Sequence, residues 1–130
     1  MPDTFRIMGL GHVCIVVSDM DRSVAFYRDM LGFHKEWEVH NAKDHWVFMS
    51  NRSCIIELME GNPSARQDGH VNHLSLLVGN VEEARRELEA GGVVFEDDEI
   101  SFDPDLYPRG ERFAMFRGPD GERLQIEQIL

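Results

Sequence analysis

The chain has 130 residues, 42% of them hydrophobic, and its 13 basic and 24 acidic residues give a formal net charge of −11. No apolar run approaches the roughly 18 residues of a membrane-spanning helix, so no membrane partner is expected. A surface this acidic repels phosphate backbones, which argues against nucleic acid as a partner. No basic segment followed by an apolar one opens the sequence, so the expected location is the cytoplasm.

The first half of the chain is predicted to contain a strand, a helix and three further strands. Residues 7–17 are apolar and β-branched, which is typical of a strand covered on both faces. Ser18 or Asp19 can cap a helix that ends at Gly32. The apolar residues of this helix recur at helical spacing: Met20, Val24, Tyr27 and Leu31. Three short strands are then predicted at 35–40, 45–50 and 54–60.

The second half repeats this order. A strand at 71–78 leads to a helix in which Asn80 is the cap and Glu83 its capping-box partner. Two glycines end that helix, and three strands are predicted after it, at 93–96, 112–117 and 123–130. The long loop between the first two of these strands, residues 101–111, is predicted to cover a site.

The two halves are predicted to be copies of one module. Residues 11–22 and 72–83 share a histidine, an apolar run, a helix cap and a charged helical start, and His12 and His73 are 61 positions apart. That period is too long for a solenoid repeat. We therefore predict one domain, residues 1–130, with a first β-α-β-β-β module at 5–61 and a second at 71–130. The polar segment between them, 62–70, contains proline and glycine and is predicted to be a connector.

The repeat places three metal-ligand side chains at matched positions. Glu57 lies in an otherwise apolar segment, where a carboxylate is costly unless it is paired or bound to a metal. His12 and His73 begin equivalent strands, and two imidazoles with a carboxylate suit a divalent metal. Taken singly, a strand histidine is more often a hydrogen-bonded structural residue, and a core glutamate is often part of an ion pair. Their repetition is what favours the metal site.

Other metal-binding side chains are given simpler interpretations. Cys14 and Cys54 lie in apolar runs and are expected to be buried free thiols that form no disulfide. His34, His40 and His45 lie in or beside exposed strands of the first module and are expected to be solvated, with the alternative that His45 or Trp46 lines the site.

The whole chain resembles the vicinal oxygen chelate superfamily, which includes glyoxalase I, extradiol dioxygenases, methylmalonyl-CoA epimerase, fosfomycin resistance enzymes and bleomycin resistance proteins. This resemblance implies an α+β fold in which two paired β-α-β-β-β modules form a U-shaped, mixed-sheet cleft around one metal ion, and it implies a homodimer. The matching segments occur in the family's order in both modules: 11–19, 25–33, 56–58, 72–74, 90–93 and 118–121.

The resemblance also implies four metal ligands, two from each module. His12, Glu57 and His73 match three of these positions. The fourth position, four residues after the last glycine of the 118–121 turn, is Gln125. Glu127 lies on the same face of the predicted strand and has the more usual ligand chemistry, but it fits only if the strand is shifted by two residues. We take Gln125 as the fourth ligand and keep Glu127 as the alternative.

The implied activity is that of a divalent-metal-dependent lyase or isomerase of the glyoxalase type. A metal ion such as Zn, Ni, Mn, Fe or Co would hold adjacent oxygens of a small substrate, and the Glu57 carboxylate would transfer a proton. The positions that bind glutathione in glyoxalase I are Val16 and Gly61 here, so the substrate need not be linked to glutathione. Arg109 or Arg112 is predicted to contact an anionic substrate. The alternatives are a metal-free small-molecule binding protein of the bleomycin resistance type and an extradiol dioxygenase.

Overall fold

In the computed structural model, which describes residue 10 and residues 12–63 and 73–130, each half of the chain forms a four-stranded sheet with one helical segment. The chain divides between Asn62 and Pro63 into two compact units. The predicted α+β class is confirmed. The predictions for residues 7–9 and 11, for most of the connector and for the start of the strand at 71–78 lie outside the described residues. Across the described part of the chain, no helix has the length and apolar character needed to cross a membrane.

The first unit has the element order predicted from the sequence. The elements are β1 Val13–Val17, α1 Met20–Ala25 with its π-helical turn Phe26–Met30, β2 His34–His40, β3 His45–Asn51 and β4 Cys54–Glu60. The sheet runs in the order β1-β4-β3-β2, with β1 parallel to β4 and the other neighbours antiparallel. The helix α1 begins after its cap Asp19, whose side chain accepts a hydrogen bond from the backbone N–H of Arg22 at 3.0 Å, and the last turn of the helical segment widens into a π-helix.

One face of this first sheet is covered by α1. Met20 and Tyr27 from the helical segment and Val47 and Leu58 from the sheet are all buried. The other two residues of the predicted helical stripe, Val24 and Leu31, are half-buried. Every second residue from His12, just before β1, along the strand is exposed, by contrast: His12, Cys14 and Val16. The prediction that this strand is covered on both faces is therefore wrong, and its exposed face carries the polar residues.

The second unit repeats the topology of the first. Its elements are β5 Leu74–Leu77, α2 Val81–Ala90, β6 Ser101–Asp103, β7 Glu111–Arg117 and β8 Arg123–Ile129. The sheet order is β5-β8-β7-β6, with β5 parallel to β8. The helix α2 has the predicted cap, because the Asn80 side chain accepts a hydrogen bond from the Glu83 N–H at 3.0 Å.

The strand predicted at 93–96 is wrong. This segment forms a single bridge, between Phe95 and Phe116, and the strand that pairs with β7 is Ser101–Asp103. The pairing between segment 93–96 and β7 does not extend beyond this bridge. The next backbone donor on β7, the Met115 N–H, is bonded instead to the side-chain carboxylate of Asp97 at 3.2 Å. The Phe95 ring packs against Phe116, and the guanidinium carbon of Arg85 lies 4.6 Å from the centroid of the Phe95 ring. Tertiary contacts thus use this apolar segment for packing and not for strand pairing.

Candidate metal and substrate site

In the first unit, the fold brings His12 and Glu57 together. His12 immediately precedes β1, and Glu57 lies at the centre of the parallel neighbour β4, opposite Cys14. The His12 Nε2 and Glu57 Oε1 atoms are 3.7 Å apart, and the Glu57 side chain is only 12% exposed. The edge of the Phe48 ring contacts the imidazole, with the ring centroids 5.3 Å apart. Two of the four predicted ligands therefore lie side by side on the exposed face of this sheet.

The thiol of Cys14 is a direct neighbour of the Glu57 carboxylate. Burial of the thiol, together with its hydrogen bond to Glu57, raises the pKa of Cys14 from 9.0 to about 11. The thiol therefore stays protonated at neutral pH and donates to the carboxylate. Cys14 and Cys54 are free, as predicted, but both residues are exposed overall, so the prediction of buried cysteines is wrong. Cys14 lies on the same side of β1 as His12, away from the face that α1 covers.

In the second unit, the corresponding side chains line an open cavity of about 480 Å³. His73 immediately precedes β5, and Gln125 lies on the neighbouring strand β8 and is buried. The cavity floor comes from β7 and β8, and part of its wall comes from the loop after β6. The lining residues are His73, Ser75, Asp103, Leu106, Tyr107, Glu111, Phe113, Met115, Arg123, Gln125 and Glu127.

Strand register distinguishes Gln125 from Glu127. In the first unit, the residue two after the histidine, Cys14, pairs with Glu57. In the second unit, the residue two after the histidine, Ser75, pairs with Gln125. Gln125 thus occupies the position equivalent to Glu57.

Glu127 pairs with Leu77, and the equivalent pair in the first unit is Met59 with Val16. The pairing of β8 with both β5 and β7 is regular through this region, without the bulge that would move Glu127 into the Gln125 position. The register therefore supports Gln125 as the fourth ligand, and Glu127 is left with a different environment.

Glu127 belongs to a carboxylate pair in the cavity. It accepts a hydrogen bond from the Tyr107 hydroxyl at 3.4 Å and shares another with Glu111. The bond to Glu127, together with burial, raises the pKa of Glu111 from 4.5 to about 7. The negative charge of Glu127 also raises the pKa of Tyr107. Glu111 is 3% exposed, and its Oε2 atom has no hydrogen-bond partner. Glu111 therefore keeps its proton to a higher pH than an ordinary glutamate does.

Glu111 was not predicted as a site residue, because the sequence indicates a loop at 101–111. In the structure, 101–103 and Glu111 belong to strands, and only the residues between them form the loop. Leu106 and Tyr107 from that loop line the cavity. The available signal was the period-two continuation of Phe113 and Met115 back to Glu111, which places all three side chains on one face.

The two predicted substrate-binding arginines lie elsewhere. The Arg112 side chain forms an ion pair with Glu82 of α2. It alternates with Glu111 and Phe113 and so points to the other face of the sheet. Arg109 is exposed in the loop. Neither arginine is among the described residues that line the cavity, whereas Arg123 is.

Comparisons with known proteins identify related chains and folds. The family model described as the glyoxalase/bleomycin resistance protein/dioxygenase superfamily matches residues 9–126. YaeR of Escherichia coli strain K12 is 33% identical over 123 residues, which cover 88% of this chain and 92% of YaeR. The crystal structure of SMU.1112c has a TM-score of 0.80 at 28% identity and covers 94% of this chain and 99% of that one.

A more distant structure shares the fold alone. FosX, a fosfomycin resistance protein from Listeria monocytogenes, was solved in complex with Mn(II) and sulfate. It has a TM-score of 0.75 at 18% identity, with 96% of this chain and 95% of FosX covered.

Proposed function

The chain belongs to the glyoxalase/bleomycin resistance protein/dioxygenase superfamily, and from this premise we propose that it is a divalent-metal-dependent lyase or isomerase of the glyoxalase type. Its substrate would be a small molecule with two adjacent oxygen atoms. The observation that carries the proposal is the repeated register: each unit places a histidine before its first strand and a glutamate or glutamine at the matched position of its last strand. Duplication of one module would account for the repeated topology, but it would not by itself require metal-ligand side chains at all four positions.

The side chains present fit a divalent ion. Among the described residues, the Glu57 carboxylate contacts an imidazole and a protonated thiol, and its 12% exposure leaves little water to solvate its charge. A cation bound there would offset this cost of burial. Imidazole, carboxylate and amide oxygen suit Zn, Ni, Mn, Fe or Co. With His12, Glu57, His73 and Gln125 as ligands, the site would carry only one protein anion, so a bound ion would keep net positive charge and stabilise negative charge on substrate oxygens.

Glu57 is the proposed proton carrier. Its carboxylate would remove the C–H proton from the carbon that bears the hydroxyl group, and the C–H electron pair would form a C=C bond as the neighbouring carbonyl electron pair moves onto its oxygen. The same carboxylate would then return that proton to the former carbonyl carbon, and the hydroxyl proton would pass to the former carbonyl oxygen, so the substrate is isomerised with no net change in protons or electrons. The Cys14 thiol restrains the carboxylate through its hydrogen bond.

The cavity of the second unit is the proposed binding site for the rest of the substrate. Its volume of about 480 Å³ falls in the range typical of small-molecule sites. Phe113, Met115 and Leu106 supply apolar surface, and the carboxylates and Arg123 supply polar groups. This mixture suits an oxygenated molecule with an apolar part. We also propose that the protein is cytoplasmic and forms a homodimer. Sedimentation of the purified protein tests the dimer.

Removal and return of metal tests the proposed function. We expect a chelator to lower turnover of the methylglyoxal–glutathione hemithioacetal, or of another 2-hydroxycarbonyl compound, by about a hundredfold or more, because a bound ion supplies several kcal/mol of transition-state stabilisation. One of the five metals should restore it. A protein that takes up no metal through His12 would contradict the proposal and favour a drug-sequestering protein. Oxygen consumption with a catechol would favour a dioxygenase.

Arg109 or Arg112 is also proposed to contact an anionic group of a substrate that extends beyond the cavity, because neither arginine is among the described residues that line the cavity itself. We expect alanine at each position to lower kcat/KM for an anionic substrate by about tenfold, mainly through KM, because one hydrogen bond to a charged group is lost. Arg86→Ala is the matched control, because Arg86 is an exposed arginine on α2. Unchanged kcat/KM in both variants would remove the arginines from the site.

A further inference from the structure

Four ionisable side chains form a cluster at the turn end of the β2–β3 hairpin, and we refer to Glu38, His40, His45 and Glu60 as the hairpin cluster. His40 and His45 are directly paired across the two strands, and their rings stack with centroids 3.8 Å apart. The nearest ligand atoms of Glu38, His40 and His45 all lie within 4.8 Å of one another. These histidines were expected to be solvated, but His45 is half-buried and hydrogen-bonded on both ring nitrogens.

The hairpin cluster lies on the opposite face of the sheet from His12 and Glu57. His45 lies on the same face of β3 as Val47 and Met49, which are buried on the side covered by α1. Phe48, which pairs with Glu57 and contacts His12, points to the other face. Because the sheet separates the two groups of residues, they cannot share one metal ion. The hairpin cluster is therefore a different site from the one proposed for catalysis.

The hydrogen bonds of His45 have the pattern of a metal-binding histidine. Its Nδ1 atom is 3.0 Å from a Glu60 oxygen, and its Nε2 atom is 2.9 Å from a Glu38 oxygen. A histidine that binds a metal through one nitrogen usually donates its other N–H to a carboxylate, which fixes the ring and the tautomer. Glu60 is placed to accept that bond. The Nε2 atom is then the one beside Glu38. The stacked His40 ring offers a further nitrogen within 4.8 Å, so Glu38 and His40 are the two further ligands that a metal would need.

We propose that Glu38, His40 and His45 bind a divalent transition-metal ion, with Glu60 orienting His45. Two imidazoles and a carboxylate suit Zn(II) and its neighbours Co(II), Ni(II) and Cu(II), and not Mg(II) or Ca(II), which prefer oxygen ligands. Ligand atoms of one zinc ion lie at most about 4 Å apart. To complete the site, the exposed Glu38 and His40 side chains must rotate, and the His40 ring must turn out of its stacked position so that its nitrogen points at the ion. The net charge of −11 favours cation binding.

Zinc titration of matched variants tests this proposal. Chelator-treated wild-type protein should bind one more equivalent of Zn(II) than His40→Ala or His45→Ala, as measured by calorimetry and by Co(II) absorption. Each of these two variants should lower the affinity of that site by about a hundredfold or more, because a ligand is lost. Glu60→Gln should keep the site and weaken it by about 10- to 100-fold, because only the orienting bond changes.

His34→Ala is the control, since His34 is another exposed histidine on β2. It should bind as the wild type does, and a loss of zinc in this variant would indicate non-specific histidine binding and overturn the proposal. Equal zinc stoichiometry in the wild type and His40→Ala would also overturn it. Because His40 is exposed, this variant is expected to fold even if His45→Ala does not. His12→Ala should retain the hairpin equivalent, which separates this result from any failure of the proposed catalytic site.

Discussion

Replacement of Glu57 by glutamine is expected to lower kcat by about 100- to 10,000-fold, because the variant loses the group that carries the proton. The same change should also weaken binding of the catalytic metal, since it replaces the only anion among the four proposed ligands with an amide. Glutamine has nearly the same size, so the sheet around Glu57 should keep its packing. Turnover at saturating metal and metal affinity by competition with a chromophoric chelator measure the two effects separately.

The second unit supplies the matched pair for this experiment. Gln125→Ala should weaken the catalytic metal site, whereas Glu127→Gln, which removes a charge two residues away on the same strand, should leave metal affinity close to wild type. The reason is register: Gln125 is the residue that pairs as Glu57 does, and the regular pairing of β8 provides no two-residue shift. Loss of metal from Glu127→Gln with retention in Gln125→Ala would contradict this assignment and require a shifted strand.

Local patterns were sufficient for much of the fold. Period-two alternation located β2, β3 and β4 to within one residue at each end, and the Asn80 cap located the start of α2. These elements could be predicted because each depends on neighbouring residues. The adjacency of His12 and Glu57 required more, namely a parallel pairing between the first and last strands of a module, and this came from the repeat and the family resemblance.

The features that were not predicted from the sequence share one physical cause, which is a contact between residues distant in sequence. The segment at 93–96 has apolar strand character, but the Asp97 carboxylate occupies the backbone donor that a longer ladder would use. Glu111 reads as part of a polar loop because its apolar surroundings come from residues distant in sequence. The hairpin cluster was missed because His45 meets Glu38 and Glu60 only after three strands pair. In each case a side chain at long range decides the outcome, and a single sequence carries no local sign of it. Convergence of both modules on one ion remains a prediction.

Glu111→Gln is expected to stabilise the metal-free protein at pH 8 and to have little effect near pH 5. In the folded protein the pKa of Glu111 is raised from 4.5 to about 7 by Glu127 and burial. Between these values the folded chain binds more protons than the unfolded chain, so stability falls as pH rises from about 4.5 to about 7 and the loss persists above that. Glutamine removes the buried charge, and its amide can still donate to Glu127. The gain should approach, and not exceed, about 3 kcal/mol.

Thermal unfolding of chelator-treated protein at the two pH values measures this difference. Glu87→Gln is the control, because Glu87 is an exposed glutamate on α2 and its replacement should change Tm little at either pH. A Glu111→Gln variant with the same Tm shift at pH 5 and pH 8 would contradict the raised pKa of Glu111. The expected pattern would mean that the cavity holds a carboxylate pair at a cost in stability, and such a cost is typical of a site selected for binding or chemistry and not for folding.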